Sequence, residues 1–254
     1  MERFIFEKAY FLEKRIMRKI LITNDDGIYA KGIERLAAAA TRYGEVTVIA
    51  PDSQRSAMSH KITLLDPIDA REVDFPVSGV KAYAVTGTPA DCIRIGLLNI
   101  LKEKPDVVLS GINYGYNTGG DTQYSATIGA ALEAASNGIR AIAFSEGIDG
   151  NTEVSEAYLE KLLGEYIDKE IEYNTIWNIN FPECGLKNYK GILTDRKVSG
   201  SCFYIDSFKE EKLADGTIRF TTQGEFNKET VEGTDFKAIQ DGFISIGKVT
   251  NIGW

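Results

Sequence analysis

Two adjacent carboxylates, Asp25 and Asp26, stand where the first predicted strand of the chain ends. Successive side chains of an extended strand point to opposite faces, but Gly27 lets the backbone turn so that both carboxylates can converge on one point. Two such carboxylates repel each other unless a positive charge lies between them, and their hard oxygen atoms suit Mg²⁺ or Mn²⁺. The pair therefore predicts a divalent-cation site. The alternative is that Asp25 caps the following helix and Asp26 is solvated.

A glycine-rich segment, Gly111–Gly120, follows another predicted strand and leads into a helix that opens near Ser125. A glycine loop before a helix amino terminus offers free N–H groups and the positive end of the helix dipole, both of which favour phosphate. The segment indicates an anion site, although a flexible connection with asparagine in turn positions explains the same composition. The usual nucleotide motifs are missing: no G-x-G-x-x-G follows the first strand, and no G-x-x-x-x-G-K-[ST] occurs in the sequence.

The composition of the 254-residue chain excludes several other kinds of site. Its single histidine, His60, rules out metal sites built on two or more histidines and allows a histidine triad only through itself. Cys92, Cys184 and Cys202 form no C-x-x-C pair, which indicates a reducing, cytoplasmic compartment and no cysteine zinc site. The formal net charge of −8 disfavours a nucleic-acid polymer as partner, but not a small phosphorylated substrate. No apolar stretch approaches the ~20 residues of a membrane span.

The elements that must position these residues begin at Met17, where β-branched runs start to alternate with helical periodicity. This alternation is typical of an α/β fold with a Rossmann-like, doubly wound and mostly parallel sheet. Strands are predicted at Lys19–Thr23, Val46–Ala50, Val80–Val85, Asp106–Ser110, Arg140–Phe144, Thr175–Phe181 and Phe243–Ile246. In such sheets the ligand lies beyond the carboxyl ends of the strands, near the switch in strand order, and both candidate segments follow strands.

The domain organisation is predicted as one core with an arm. Residues 1–16 are interpreted as an extension or a start-site artefact, because Met17 directly precedes the first convincing strand and three glutamates ill suit a targeting peptide. Residues 17–195 are predicted to form the catalytic core. Residues 196–254 are predicted to form a C-terminal β-hairpin arm and a returning helix and strand, within the same domain and in the oligomer interface.

Several motifs occur together and in a fixed order along the chain. They are Met17–Ala30, Ala50-Pro51-Asp52-x-x-Arg55-Ser56-Ala57, Gly87–Cys92, Ser110-Gly111-Ile112-Asn113-x-Gly115-x-Asn117, Tyr124–Glu133 and Thr234-Asp235-x-x-Ala238-x-x-x-Gly242-Phe243-x-Ser245-Ile246. Their order closely resembles the SurE survival-protein family of metal-dependent nucleotidases, and the resemblance covers nearly everything from Met17 onward. The chain departs from the family at Ala126, where glycine is usual, and at Gly247-Lys248, where Thr-Pro is usual; neither departure touches a proposed metal ligand.

The resemblance implies one divalent metal ion per subunit, Mg²⁺ or Mn²⁺, with ligands that fall on Asp25, Asp26, Ser56 and Asn113. Taken alone, Ser56 and Asn113 are ordinary polar residues, and only the resemblance makes them ligands. The implied activity is hydrolysis of nucleoside 5′- or 3′-monophosphates to nucleoside and phosphate. The resemblance also implies a homodimer or homotetramer in which the arm after Asp195 is exchanged between subunits.

The predicted mechanism gives further roles to residues around the cation. Asp25 and Asp26 are also predicted to be catalytic, because either carboxylate could take a proton from the attacking water. Asn117, together with Ser125 and Thr127 at the helix start, is predicted to bind the remaining phosphate oxygens.

His60 is predicted to be catalytic because it lies four residues after Ser56. A loop that brings Ser56 to the cation could carry His60 into the site, where it would protonate the leaving ribose oxygen or hydrogen-bond phosphate. The alternative is a histidine on a surface loop.

Two other functions stay open from the residues. A haloacid-dehalogenase-type phosphatase would use a nucleophilic aspartate from an Asp-x-Asp pair, a spacing that Asp25-Asp26 lacks. A noncatalytic nucleotide or metal-ion sensor would bind with the same residues and release no phosphate.

Overall fold

Alternating buried strands and amphipathic helices build the structure, a computed structural model that describes residues 18–251. The prediction for residues 1–16 lies outside the described residues. The strands are β1 (Lys19–Thr23), β2 (Glu45–Pro51), β3 (Ala70–Val73), β4 (Lys81–Val85), β5 (Val107–Tyr114), β6 (Arg140–Glu146), β7 (Thr175–Phe181), β8 (Gly191–Arg196), β9 (Tyr204–Lys212), β10 (Ile218–Phe226) and β11 (Phe243–Thr250). The α-helices are α1 (Lys31–Ala40), α2 (Pro89–Ile95), α3 (Ala126–Ser136), α4 (Glu153–Tyr166) and α5 (Asp235–Gln240).

Nine strands form the central sheet in the order β3-β4-β2-β1-β5-β6-β7-β11-β8. The six strands from β4 to β7 are parallel to their neighbours, while β3 and β11 run antiparallel to β4 and β7. The chain moves outward from β1 on one side and from β5 on the other, so the strand order reverses between these two strands. The predicted Rossmann-like, mostly parallel sheet is confirmed, and its switch point lies between β1 and β5.

Helices cover both faces of this sheet, and each face has its own apolar core. Ile33 and Leu36 of α1 pack with Leu159 of α4 on one face. Ile93 of α2 and Ala131 of α3 belong to the core on the other face. Burial on both sides explains why the central strands are continuous apolar runs instead of alternating ones. None of the helices within residues 18–251 is long and apolar enough to cross a membrane.

Strand β5 extends further than the sequence predicts. It was expected to end at Ser110, but it continues to Tyr114 and so takes in part of the predicted glycine loop. Gly111 has a φ of 133°, a conformation that favours glycine, and the pairing with β6 is irregular between Ser110 and Asn113 before it resumes. Asn113 is therefore held by a strand of the main sheet at its switch point.

A separate antiparallel hairpin follows β8, as predicted. Strands β9 and β10 pair from Tyr204 opposite Phe226 to Lys212 opposite Ile218, and they form a two-stranded sheet of their own. The chain then returns through α5 to β11, which lies between β7 and β8 in the main sheet. Two strands that were not predicted, β3 and β8, lie at the edges of the main sheet, and all of their residues are exposed or half-buried.

Candidate metal and phosphate site

A cavity of about 200 Å³ lies at the switch point, against the residues that follow β1 and those that end β5. Its lining residues are Asp25, Ser56, Ala57, Asn113, Tyr114, Gly115, Tyr116, Asn117, Asp121, Tyr124, Ser125 and Tyr204. Five of the eight predicted site residues are among them. The other three are Asp26, Thr127 and His60; the first two bond to residues of the lining, and the third does not.

Asp25 is the buried carboxylate at the centre of this site. Its side chain is 3% exposed, and its Oδ1 accepts a 2.7 Å hydrogen bond from the Thr127 hydroxyl. The pKa of Asp25 is raised to about 7, mainly because burial disfavours the charged carboxylate; hydrogen bonds from Thr127 lower this pKa and the neighbouring Asp26 charge raises it. Within the part of the chain that the structure describes, no lysine or arginine lines the cavity, so the charged form of Asp25 has no cationic partner among these lining residues.

Asp26 and Asn113 place further oxygen atoms beside Asp25. The Asp26 Oδ2 accepts a 3.0 Å hydrogen bond from the backbone N–H of Tyr114, next to Asn113, and burial raises the pKa of this carboxyl. The amide nitrogen of Asn113 donates to the Gly115 carbonyl at 2.8 Å, so its Oδ1 faces the Thr127 hydroxyl, 3.4 Å away. Carbonyl and carboxylate oxygens thus converge on a single hydroxyl.

The fourth predicted ligand, Ser56, approaches from the loop after β2. It is exposed, and its hydroxyl oxygen accepts a 3.1 Å hydrogen bond from Gln54. Among the described residues, no group of three or more His, Cys, Asp or Glu side chains could hold a metal ion. A cation here would rely on amide and hydroxyl oxygens besides the two carboxylates, a donor set that suits Mg²⁺ or Mn²⁺. These residues fit a divalent cation.

The capping alternative for Asp25 is wrong. Helix α1 begins at Lys31, its N-cap residue is Ala30, and none of the described side chains forms a capping hydrogen bond there. The Asp25 carboxylate instead accepts from Thr127, more than a hundred residues along the chain. Its burial therefore arises from the site and not from the helix that follows.

The amino terminus of α3 borders the same cavity. Ser125 is its N-cap residue and accepts a 3.1 Å hydrogen bond from the Ile128 N–H. Ala126, where the SurE family usually has glycine, has a negative φ and suits alanine without strain. The start of α3 therefore combines a serine hydroxyl with the backbone N–H groups of a helix amino terminus, an arrangement that favours an anion.

Comparison with known proteins identifies the family. A family model described as "Survival protein SurE" matches residues 20–201, which is most of the chain. The chain belongs to the SurE family. A protein named 5′-nucleotidase SurE from Thermoanaerobacter sp. (strain X514) is 40% identical over 231 residues, which cover 90% of each chain. One of the same name from Clostridium botulinum (strain Kyoto / Type A2) is 36% identical, covering 89% of this chain and 90% of its own.

A solved SurE structure also matches this fold. The crystal structure of the SurE protein from Aquifex aeolicus has a TM-score of 0.78 and 32% sequence identity, and the match covers 92% of this chain and 94% of that one. The predicted membership of the SurE family is confirmed.

In this SurE chain, buried asparagines of β7 hold Asn117, a contribution that sequence reasoning missed. The Asn117 N–H donates to the side-chain oxygen of Asn180 at 2.9 Å, and its carbonyl accepts from Asn178 at 2.8 Å. The Asn117 side chain donates one N–H to Ser145, also at 2.8 Å, and retains a second N–H. The signal in the sequence was a pair of asparagines, two residues apart, within an otherwise apolar strand.

The structure also places the SurE chain's single histidine. His60 lies outside the cavity lining, and its Nε2 is 2.8 Å from the Oε2 of Glu133 on α3. The catalytic role of His60 stays a prediction.

Proposed function

We propose that this chain is a divalent-metal-dependent phosphomonoesterase that hydrolyses nucleoside 5′-monophosphates, and also 3′-monophosphates, to nucleoside and phosphate. The observation that carries this proposal is the convergence of Asp25 and Asn113 oxygens on the Thr127 hydroxyl at the switch point. Relatives that match about nine-tenths of the chain bear the name 5′-nucleotidase SurE. The comparisons support neither the haloacid-dehalogenase-type phosphatase nor the noncatalytic sensor.

Asp25, Asp26, Ser56 and Asn113 are proposed to hold one Mg²⁺ or Mn²⁺ per subunit. A bound divalent cation would neutralise charge on a phosphate oxygen and lower the pKa of a water molecule. The all-oxygen donor set and the raised pKa of the buried Asp25 carboxyl support this assignment.

The other residues of the cavity are proposed to bind the phosphate, and the two carboxylates are proposed to move one proton. The Ser125 hydroxyl, the second N–H of the Asn117 amide and the first N–H groups of α3 donate to the phosphate oxygens. Water attacks the phosphorus atom and passes a proton to Asp25 or Asp26 while the bond from phosphorus to the ribose oxygen breaks. The carboxyl then returns that proton to the ribose oxygen, which regenerates the carboxylate. The Thr127 hydroxyl, which was predicted to bind phosphate, donates to Asp25 and orients its carboxylate.

Aromatic side chains at the cavity support a nucleoside as the leaving group. Tyr114 and Tyr124 line the cavity and are 58% and 61% exposed, and Tyr204 joins them from the first residue of β9. Flat aromatic faces of this kind can stack on a nucleobase, since every base has a π-face. A phosphomonoester without a base would lack this contact.

We also propose a cellular location, an oligomeric state and a domain organisation for the enzyme. Three free cysteines, Cys92, Cys184 and Cys202, support a reducing, cytoplasmic location. Exposed apolar side chains on both hairpin strands, including Phe208 and Phe220, support a homodimer or homotetramer formed through the arm. The core and arm are proposed to belong to one domain, because β11 returns to the main sheet.

A panel of phosphomonoesters tests the proposed substrate class. With Mn²⁺ present, we expect kcat/KM for nucleoside monophosphates to exceed that for ribose 5-phosphate at least about fivefold, because base stacking contributes roughly 1–3 kcal/mol. The Tyr124→Ala variant is expected to narrow this ratio. Equal kcat/KM values for nucleotide and ribose 5-phosphate would contradict the substrate class. Nucleotide binding without phosphate release would favour the sensor, and a trapped aspartyl-phosphate would favour the haloacid-dehalogenase-type phosphatase.

A further inference from the structure

The loop that carries Ser56, residues 52–63, is held at its start by the strand ends of the main sheet. The backbone N–H of Arg55 donates to the Asp25 carbonyl at 2.7 Å, and its side chain reaches the Thr86 carbonyl at 3.1 Å. Beyond Ser56 the loop passes through two non-glycine residues with positive φ, Ala57 at 56° and Ser59 at 51°. This conformation is unfavourable for side-chain-bearing residues, so the loop needs further contacts to hold its shape.

Those contacts come from the start of α3. The Ser59 N–H donates to the Tyr124 carbonyl, and the Ser59 hydroxyl donates to the Gln123 carbonyl, both at 2.8 Å. Gly129 permits this close approach, because a Cβ there would lie 2.3 Å from the Ser59 carbonyl oxygen and 2.9 Å from the Cα of His60. The loop backbone therefore lies directly on the first turns of the helix that also presents Thr127.

The pair of His60 and Glu133 completes this contact one turn further along α3. Glu133 follows Gly129 by four positions and shares its face of the helix. The two side chains meet at 2.8 Å and are 33% and 17% exposed. The other Glu133 oxygen accepts a 3.3 Å hydrogen bond from Asn137, which fixes the carboxylate from the opposite side.

This geometry holds the Nε2 of His60 at Glu133 and not in the cavity. Glu133 lies six residues beyond Thr127 on the same helix, which corresponds to about 9 Å along the helix axis. A general acid must come within about 3 Å of the oxygen that it protonates. The Nε2 of His60 instead contacts Glu133, and His60 lies outside the cavity lining.

We propose that His60 and Glu133 are positioning residues that clamp the 52–63 loop to α3 and thereby hold Ser56 at the metal site. The inference rests on the proposed function, because it assigns Ser56 to a divalent cation. Ser56 itself is exposed, and among residues 18–251 its hydroxyl accepts only from Gln54, which belongs to the same loop. The position of Ser56 relative to Asp25 is therefore set by the loop contacts on either side of it. Arg55 makes these contacts before Ser56, and Ser59 and the His60–Glu133 clamp make them after it.

The test compares His60→Ala and Glu133→Ala with wild type in two measurements. In metal-free protein, amide hydrogen exchange at Ser59 reports how firmly the loop is held. Mn²⁺ titration calorimetry reports how well Ser56 is placed. We expect each variant to speed Ser59 exchange and weaken Mn²⁺ affinity about tenfold, the lower end of the range for residues that support metal ligands.

Three matched variants sharpen this experiment. The double variant is expected to be no weaker than either single one, because both remove the same contact. His60→Gln keeps a side-chain N–H that can reach Glu133, and we expect it to restore most of the protection and affinity. Lys61→Ala changes an exposed neighbouring residue, and we expect both measurements to match wild type.

Unchanged Ser59 exchange and Mn²⁺ affinity in both alanine variants would overturn the clamp. If kcat nevertheless fell in His60→Ala alone, the leaving-group role of His60 would replace it. The exchange measurement needs no metal and no substrate. If both variants exchange the Ser59 amide faster but the wild-type protein binds no Mn²⁺, the clamp is supported and the proposed function is refuted.

Discussion

Asp25→Asn is expected to abolish phosphate release while the fold stays intact. Asparagine has nearly the same shape as aspartate and can still accept the hydrogen bond from Thr127, but it carries no negative charge for the cation. Loss of several kcal/mol of transition-state stabilisation corresponds to a decrease in kcat/KM of at least about 10³-fold. Steady-state phosphate release with Mn²⁺ present measures this effect, and circular dichroism confirms the fold.

Asp106→Asn is a matched control for this substitution. Asp106 lies at the opposite end of β5, where its carboxylate accepts a 2.7 Å hydrogen bond from the Lys19 N–H, so its replacement should leave kcat/KM close to wild type. If Asp25→Asn kept more than about a tenth of wild-type activity, a loss below about 1.4 kcal/mol, Asp25 would not be a metal ligand in the reaction.

The stability of the metal-free protein is expected to fall as the pH rises toward 7, and Asp25→Asn is expected to reduce this fall. Burial raises the pKa of Asp25 from 3.8 to about 7, so the folded state binds its proton more tightly than the unfolded state. The stability gained from that proton is fully present below about pH 4 and is lost as the pH passes through 7. The loss is on the order of 4 kcal/mol, because each unit of pKa shift corresponds to about 1.4 kcal/mol.

Denaturant unfolding between pH 4.5 and 8 checks this expectation in chelator-treated protein. We expect the wild-type midpoint to decrease across this range, the Asp25→Asn midpoint to decrease less, and the variant to be the more stable protein at pH 8. Excess Mn²⁺ should restore the wild-type midpoint at pH 8, because a ligand that binds only the folded state stabilises it. Parallel profiles of midpoint against pH for the two metal-free proteins would show that burial does not disfavour the charged form of Asp25.

The central strands were predictable because their local sequence and their environment agree. Predicted strands Lys19–Thr23 and Thr175–Phe181 coincide with β1 and β7, whose β-branched runs are buried on both faces. The predicted end of β5 at Ser110 was wrong. Gly111 favours a turn in the local sequence, but pairing with β6 extends the strand to Tyr114. The edge strands β3 and β8 each pair with a neighbouring strand on one side only and contain no buried residue. Such segments differ little from loops in their local sequence.

The site was predictable only as far as neighbouring residues reveal it. Asp25 and Asp26 stand together in the chain, and their carboxylates indicated a cation directly. Ser56 and Asn113 gained their roles from family resemblance, since single polar residues near strand ends have many uses. The partners of His60 and of the Asn117 backbone lie 60 to 75 residues away in the chain, and tertiary packing alone brings them together.

Metal stripping and restoration is the measurement that tests the central claim most directly. The protein would be stripped with chelator, divided, and supplied with Mg²⁺, Mn²⁺ or Ca²⁺ or with no metal, and phosphate release from a nucleoside 5′-monophosphate would be followed. We predict that the stripped protein loses at least about 99% of its activity and that Mg²⁺ or Mn²⁺ restores it, because the oxygen ligands at Asp25 and Asn113 suit these ions. Full phosphate release after exhaustive stripping would contradict a metal-dependent phosphomonoesterase.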